Sequence, residues 1–147
     1  MSHVRKQVRD YFETTLTGLT TTGTKVYASR VYSLAENNLP AIAIYTKSET
    51  SEEVSFVGKR VQNRVLDVAV EGYVRTTSTF DDVIDTIATE VETALLADTT
   101  LGGLAINTEL TSTEINFSGE SEQPVGTIVL TFAVQYRTET GQPETAI

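Results

Sequence analysis

The sequence predicts an α+β fold, in which a mixed, mostly antiparallel sheet of about five strands carries two helices packed against it, in the order αβββαββ. Three observations lead there. Val4, Val8, Phe12 and Leu16 recur at every fourth position, one apolar stripe along a helix. Phe80, Ile84, Ile87, Val91 and Leu95 make a second such stripe. Between and after them run segments with an apolar residue at every second position, the period of a strand with one buried face. A sheet that receives both helices is the simplest way to bury the two stripes.

The first helix is expected from Val4 to Leu16, ended by Gly18 and Gly23 in a threonine-rich stretch. "KVYASRVYSL", residues 25–34, is rich in β-branched and aromatic residues and reads as a strand with imperfect alternation. Asn37 and Asn38 then suit a turn, and Pro40 opens the next strand, where its missing N–H costs least. In that strand Ile42 and Ile44 face one side, and Ala41, Ala43 and Tyr45 the other. Residues 47–60, "KSETSEEVSFVGKR", are polar around an apolar island at Val54, Phe56 and Val57, which predicts a long, mobile hairpin arm.

Val61 to Arg75 is expected as a long strand with Leu66, Val68, Val70, Gly72 and Val74 on one face and Asp67, Glu71 and Arg75 on the other. The second helix lies within "TTSTFDDVIDTIATEVETALLAD". Ser78 or Thr79 can cap it, and Asp81, Asp82 and Asp85 lie near the positive end of its dipole. Gly102 and Gly103 turn the chain into two last strands, about 104–117 and 125–138, joined by the acidic loop "SGESEQPVG". In the last, Ile128, Leu130, Phe132, Val134 and Tyr136 alternate with Thr127, Val129, Thr131 and Ala133. The polar tail, 139–147, is expected to fray. With no internal repeat and no long linker, the 147 residues are expected to form a single domain over 1–147.

Composition excludes several classes of function. Hydrophobic content of 39% and charged content of 21% are those of a globular chain, which disfavours wholesale disorder. No apolar run approaches the roughly 20 residues of a membrane helix. "MSHVRKQVRDYF" places charges where a signal peptide needs its apolar stretch, so a protein made in a cytoplasm is expected. Without cysteine, disulfides, thiolate metal sites and cysteine nucleophiles are excluded. A formal charge of −9 repels nucleic acid and anionic membranes. The basic residues nevertheless cluster, Arg5, Lys6 and Arg9 in one segment and Lys59, Arg60 and Arg64 in another, each suited to an acidic partner surface.

The candidates for chemistry are weak when set beside their structural alternatives. His3 is the only histidine, is expected at a mobile end and would have to serve any Ser-His-Asp triad, whereas a disordered or helix-leading histidine explains it better. Asp81, Asp82 and Asp85 could chelate a cation, but acids are expected at a helix start in any case. Glu49, Glu52 and Glu53 could form an acid–base pair, but they lie in a charged stretch without the apolar surroundings that shift a carboxylate pKa, so a solvated arm is the better reading. Gly102-Gly103 follows a helix and so is no phosphate cradle. "GKRVQNR" lacks the interleaved aromatics of a nucleic-acid platform. No catalytic constellation, cofactor site or metal site is expected, and what remains suits an assembly subunit with exposed arms and an acidic surface.

Three segments, taken in order, resemble the lambda-type phage tail terminators, the minor tail protein U family. They are the proline-led "LPAIAIYT" with the Glu-rich "KSETSEE" after it, the strand, turn and helix of "RVLDVAVEGYVRTTSTFDDVIDTIATEVETAL", and the alternating last strand "GTIVLTFAVQYRTE" with its tyrosine. The resemblance covers nearly the whole chain. Departures are the threonine-rich linker after the first helix, the longer arm at 47–60 and the extra polar tail.

The resemblance implies a structural, non-enzymatic protein of the virion, assembled in the host cytoplasm into a homo-oligomeric ring, usually of six. Such a ring caps the head-proximal end of the tail tube, stops tube polymerisation and offers the surface for head–tail joining. Its implied partners are its own copies, the tail tube protein and the head–tail connector, with DNA only passing through the channel and no membrane involved. From the residues themselves, the candidate assembly contacts are Arg5, Lys6, Arg9, Glu49, Glu52, Glu53, Phe56, Lys59, Arg60 and Arg64. A tail-tube or head–tail neck protein is the alternative, and an acidic DNA mimic a more remote one.

Overall fold

Both apolar stripes form the helices they predict. The computed structural model describes residues 2–28, 40–56, 58–75, 79–116 and 125–147, with the side chains of residues 55 and 56 outside that description. Helix α1 spans Val4–Leu16 and buries Val4, Val8, Phe12 and Leu16 completely. Helix α2 spans Phe80–Leu95 and buries Phe80, Ile84, Ile87, Val91 and Leu95. Thr79 takes the N-cap position of α2 without a side-chain capping bond, and Ser78 lies outside the described residues. Asp81 and Asp82 occupy the first turn, where the helix dipole favours negative charge.

The strands are β1 (Val26–Tyr27), β2 (Ala41–Phe56), β3 (Lys59–Arg75), β4 (Asn107–Asn116) and β5 (Val125–Glu139), and they lie side by side in the order β1-β2-β3-β5-β4. β1 pairs in parallel with β2, and every other pairing is antiparallel. This is the predicted α+β class, with the predicted order of elements. Most of the strand expected at 25–34, the turn at Asn37 and Asn38, and the acidic loop from 118 to 124 fall outside the described residues. β4 begins three residues later than expected because Asp98 closes a turn ahead of it. Its carboxylate accepts the Thr100 hydroxyl (2.6 Å) and the N–H groups of Thr100 and Gly102 (both 3.0 Å), and a short 3₁₀ turn follows at Leu101–Gly103.

Alternation along the strands puts Ile42 and Ile44 of β2, Leu66, Val68, Val70 and Val74 of β3, and Ile128, Leu130, Phe132, Val134 and Tyr136 of β5 into the core. α1 covers β1 and β2, α2 covers β3 and β5, and the two helices touch. The Phe12 ring meets Phe132 edge-on, with centroids 5.9 Å apart. Close approach of α2 to the sheet depends on missing side chains. A Cβ on Gly126 would stand 2.1 Å from the Phe80 ring, and one on Gly72 would stand 3.3 Å from Ile87.

The polar tail, which its composition marks for fraying, makes backbone contacts with the domain. Pro143 O accepts the Val4 N–H (2.8 Å), Arg137 O accepts the Ile147 N–H (2.9 Å), and Ala146 bridges to Thr138. Glu144 O accepts the Gln7 side-chain amide (2.8 Å). Pro143 O thereby satisfies the Val4 N–H, one of the orphan donors at the start of α1, where no earlier turn supplies an acceptor.

Candidate assembly surface

The segment from 47 to 60 is a β-hairpin. β2 and β3 stay in register out to Phe56↔Lys59, and Gly58, at φ +76, supplies the left-handed residue of the two-residue turn. The pairing is interrupted once, between Thr46 and Ser48, where Lys47 is the extra residue of a bulge. Because side chains alternate with a period of two, one inserted residue exchanges the faces of everything beyond it. Glu49 is thereby turned to the helix side, opposite Leu66, and does not join the solvated face of the arm.

This corrects the expectation that Glu49 is a solvated arm carboxylate: its side chain is only 8% exposed. It accepts hydrogen bonds from the Tyr136 hydroxyl, from Arg5 Nη1 (2.8 Å) and from Arg64 Nη1 (3.4 Å). Four elements contribute: α1 through Arg5, β2 through Glu49, β3 through Arg64 and β5 through Tyr136. Arg64 is 13% exposed on its side chain, and its guanidinium lies 5.9 Å from the Tyr136 ring centroid. Its Nε is buried without a hydrogen-bond partner among the described residues. Burial and the adjacent Glu49 carboxylate push the Tyr136 phenol far above its usual range, so it remains a donor.

His3 adjoins this cluster as the N-cap of α1, its Nδ1 accepting the Arg5 N–H at 3.1 Å. Burial, then the charges of Arg5 and Arg64, hold its pKa below the ordinary 6.5, against the opposing pull of Glu49.

Lys6, Lys59 and Arg60 are also paired within the chain. Lys6 bridges to Asp10 (2.7 Å), Lys59 to Glu139 (3.1 Å), and Arg60 grips Glu53 with two bonds, at 2.8 and 3.1 Å. That grip lowers the Glu53 pKa and raises that of Arg60. Exposed pairs of this kind hold their partners weakly and can exchange them for charges on another surface. Glu52 is exposed on the arm, Arg9 is half-buried on α1, and the Phe56 side chain lies outside the described residues.

A charge asymmetry escaped the sequence reading. No Lys or Arg occurs between Arg75 and Arg137, a stretch that forms α2, β4 and the first part of β5. Asp81, Asp82 and Asp85 on α2, and Glu109 and Glu114 on β4, make that flank purely acidic, with all five side chains exposed. Among the described residues no group of three or more acidic or histidine side chains is placed to hold a metal ion.

Comparison with known proteins places this arrangement. Among solved structures the chain is similar to one described as "Virion of native gene transfer agent (GTA) particle", with 14% identity, a TM-score of 0.52 and 92% of each chain covered. At that identity the likeness is one of fold. A search of curated proteins finds no match. The family model described as phage minor tail protein U matches residues 1–136. That span holds both helices, the arm, the Glu49 cluster and all but the end of β5. The chain therefore belongs to the phage minor tail protein U family, and is a structural protein of the phage tail.

Proposed function

We propose that this protein forms a ring of six copies at the head-proximal end of the tail tube, where it stops tube polymerisation and offers the surface to which the head connector joins. The observation that carries the reading is the family match over residues 1–136. Suitable parts are at hand: a long hairpin with exposed charged side chains near its tip, and a bulge that turns the Glu49 carboxylate into a buried cluster at the hairpin's foot.

In this reading Lys6, Arg9, Glu52, Glu53, Phe56, Lys59 and Arg60 meet neighbouring copies or tail partners, while Arg5, Glu49 and Arg64 act by holding the foot of the arm. The cation-free flank of α2 and β4 suits the channel, since acidic walls let DNA slide past without sticking. The ring is a component of the virion, formed during assembly in the host cytoplasm.

The test is to polymerise the tail tube protein with and without this chain and measure tube lengths by electron microscopy. Capping shortens the tubes and leaves this protein at one end. Incorporation along the whole length would make it a tube protein, and tubes of unchanged length without bound protein would overturn the reading.

A further inference from the structure

The first turn of α1, the foot of the arm and the C-terminal tail all meet near His3. Since its Nδ1 accepts the Arg5 N–H, the neutral ring carries its proton on Nε2, and that nitrogen stands 3.4 Å from Arg64 Nη1. The charged groups facing the ring are Arg5 from α1, Arg64 from β3 and Glu49 from β2. β5 contributes Tyr136, whose hydroxyl is engaged by Glu49, and the tail presents the carbonyls of Pro143 and Glu144 to Val4 and Gln7 of the same turn. Two guanidiniums already share one carboxylate, so the site is cationic before His3 takes a proton.

We propose that His3 is an acid-sensitive latch: when neutral it closes the first turn of α1 over the Glu49–Arg64–Tyr136 cluster and keeps the C-terminal tail docked, and when protonated it releases turn and tail while the sheet stays folded. Protonation removes the Nδ1 lone pair, so the Arg5 N–H loses its acceptor. It also brings a third cation against Arg5 and Arg64, with Glu49 the one carboxylate facing them among the described residues. Tail and turn leave together because Pro143 and Glu144 bond to residues of that turn. The inference concerns the single subunit and does not depend on the ring.

The direction of the pH dependence follows from linkage. A histidine whose pKa is lowered in the closed state binds its proton more readily when the latch is open. The closed state therefore carries no penalty well above pH 6.5 and weakens as the pH falls through 6.5. The loss levels off below the closed-state pKa. One proton is linked, so opening increases by at most about tenfold per pH unit.

Amide hydrogen exchange on the full chain tests this, with protection at Val4, Arg5 and Ile147 corrected for intrinsic rates from about pH 7.5 to about pH 5 and Leu130 in β5 as the internal reference. Expected is a fall in protection at the three amides, approaching about tenfold per pH unit below pH 6.5, while Leu130 is unchanged. The variant His3→Asn, which keeps an oxygen acceptor at the N-cap and does not titrate, should show no such fall. An identical pH course in wild type and His3→Asn, or a fall shared by Leu130, would overturn the proposal. So would a His3 pKa at or above 6.5, read from its ring protons by NMR in the wild-type protein.

Discussion

The Tyr136 hydroxyl on β5 donates to the Glu49 carboxylate on β2, and the two meet because the bulge at Lys47 turns Glu49 to the helix side of the sheet. Tyr136→Phe removes that donor while the carboxylate stays 8% exposed. A cost of about 1 to 3 kcal/mol is expected, the range for leaving a buried polar group short of a partner. Denaturant unfolding measures it. A loss below about 0.5 kcal/mol would mean that Glu49 finds water as readily as it finds Tyr136.

Gly126→Ala tests how closely α2 sits on the sheet. The new methyl would stand 2.1 Å from the Phe80 ring, and backbone at Asn116 O, 3.2 Å away, limits its retreat. Overpacking of this kind costs about 1 to 3 kcal/mol, so a clear drop in thermal stability is expected. An unchanged melting temperature would show that Phe80 swings away freely.

The parts of this fold that could be read from the sequence are those governed by local periodicity. Both helical stripes are buried residue for residue, and the alternation in Val61–Arg75 and in the last strand marks the core face correctly. The bulge at Lys47 could not be read, because a bulge of this type requires no distinctive residue and shows only as a shift in pairing. The Glu49 cluster was hidden for the same reason and for another: Arg5 and Glu49 are 44 residues apart and Glu49 and Tyr136 are 87 apart, so only the finished sheet unites them. Tail docking relies on backbone carbonyls, about which side-chain composition is silent. The turn at Asp98 did leave a signal, an Asp two residues before Thr100 and four before Gly102, in the manner of a side chain that caps its own turn.

The arm should be more susceptible to proteases in the free subunit than in the assembled ring. Residues 50–53 on one strand and 58–60 at the turn and start of the other are exposed, and charged side chains there contribute little to holding the arm. Limited proteolysis with cleavage sites mapped between Lys47 and Arg60 reports this directly. Equal cutting rates in the subunit and the ring would mean that assembly does not order the arm.

Reversing Lys59 and Arg60 to glutamate sets them against Glu139 and Glu53 at the arm tip and removes the cations offered to a neighbour. Weaker association with an unchanged circular dichroism spectrum is the expected outcome. Adding Glu53→Arg restores an internal pair to the Arg60→Glu chain. If that alone recovered full association, the residues would serve the hairpin and not the contact between copies.

Closure of this chain into a ring that grows no further is open to direct test through the mass of the purified protein in solution. Sedimentation over a range of protein and salt concentrations, with negative-stain images of the same samples, is the measurement. Salt is varied because screening weakens opposite-charge contacts between copies while it relieves the repulsion between chains of formal charge −9. One discrete assembly of six copies is expected, seen as rings with an open centre and reached without longer species. Filaments that lengthen with concentration, or a monomer at every condition, would contradict it.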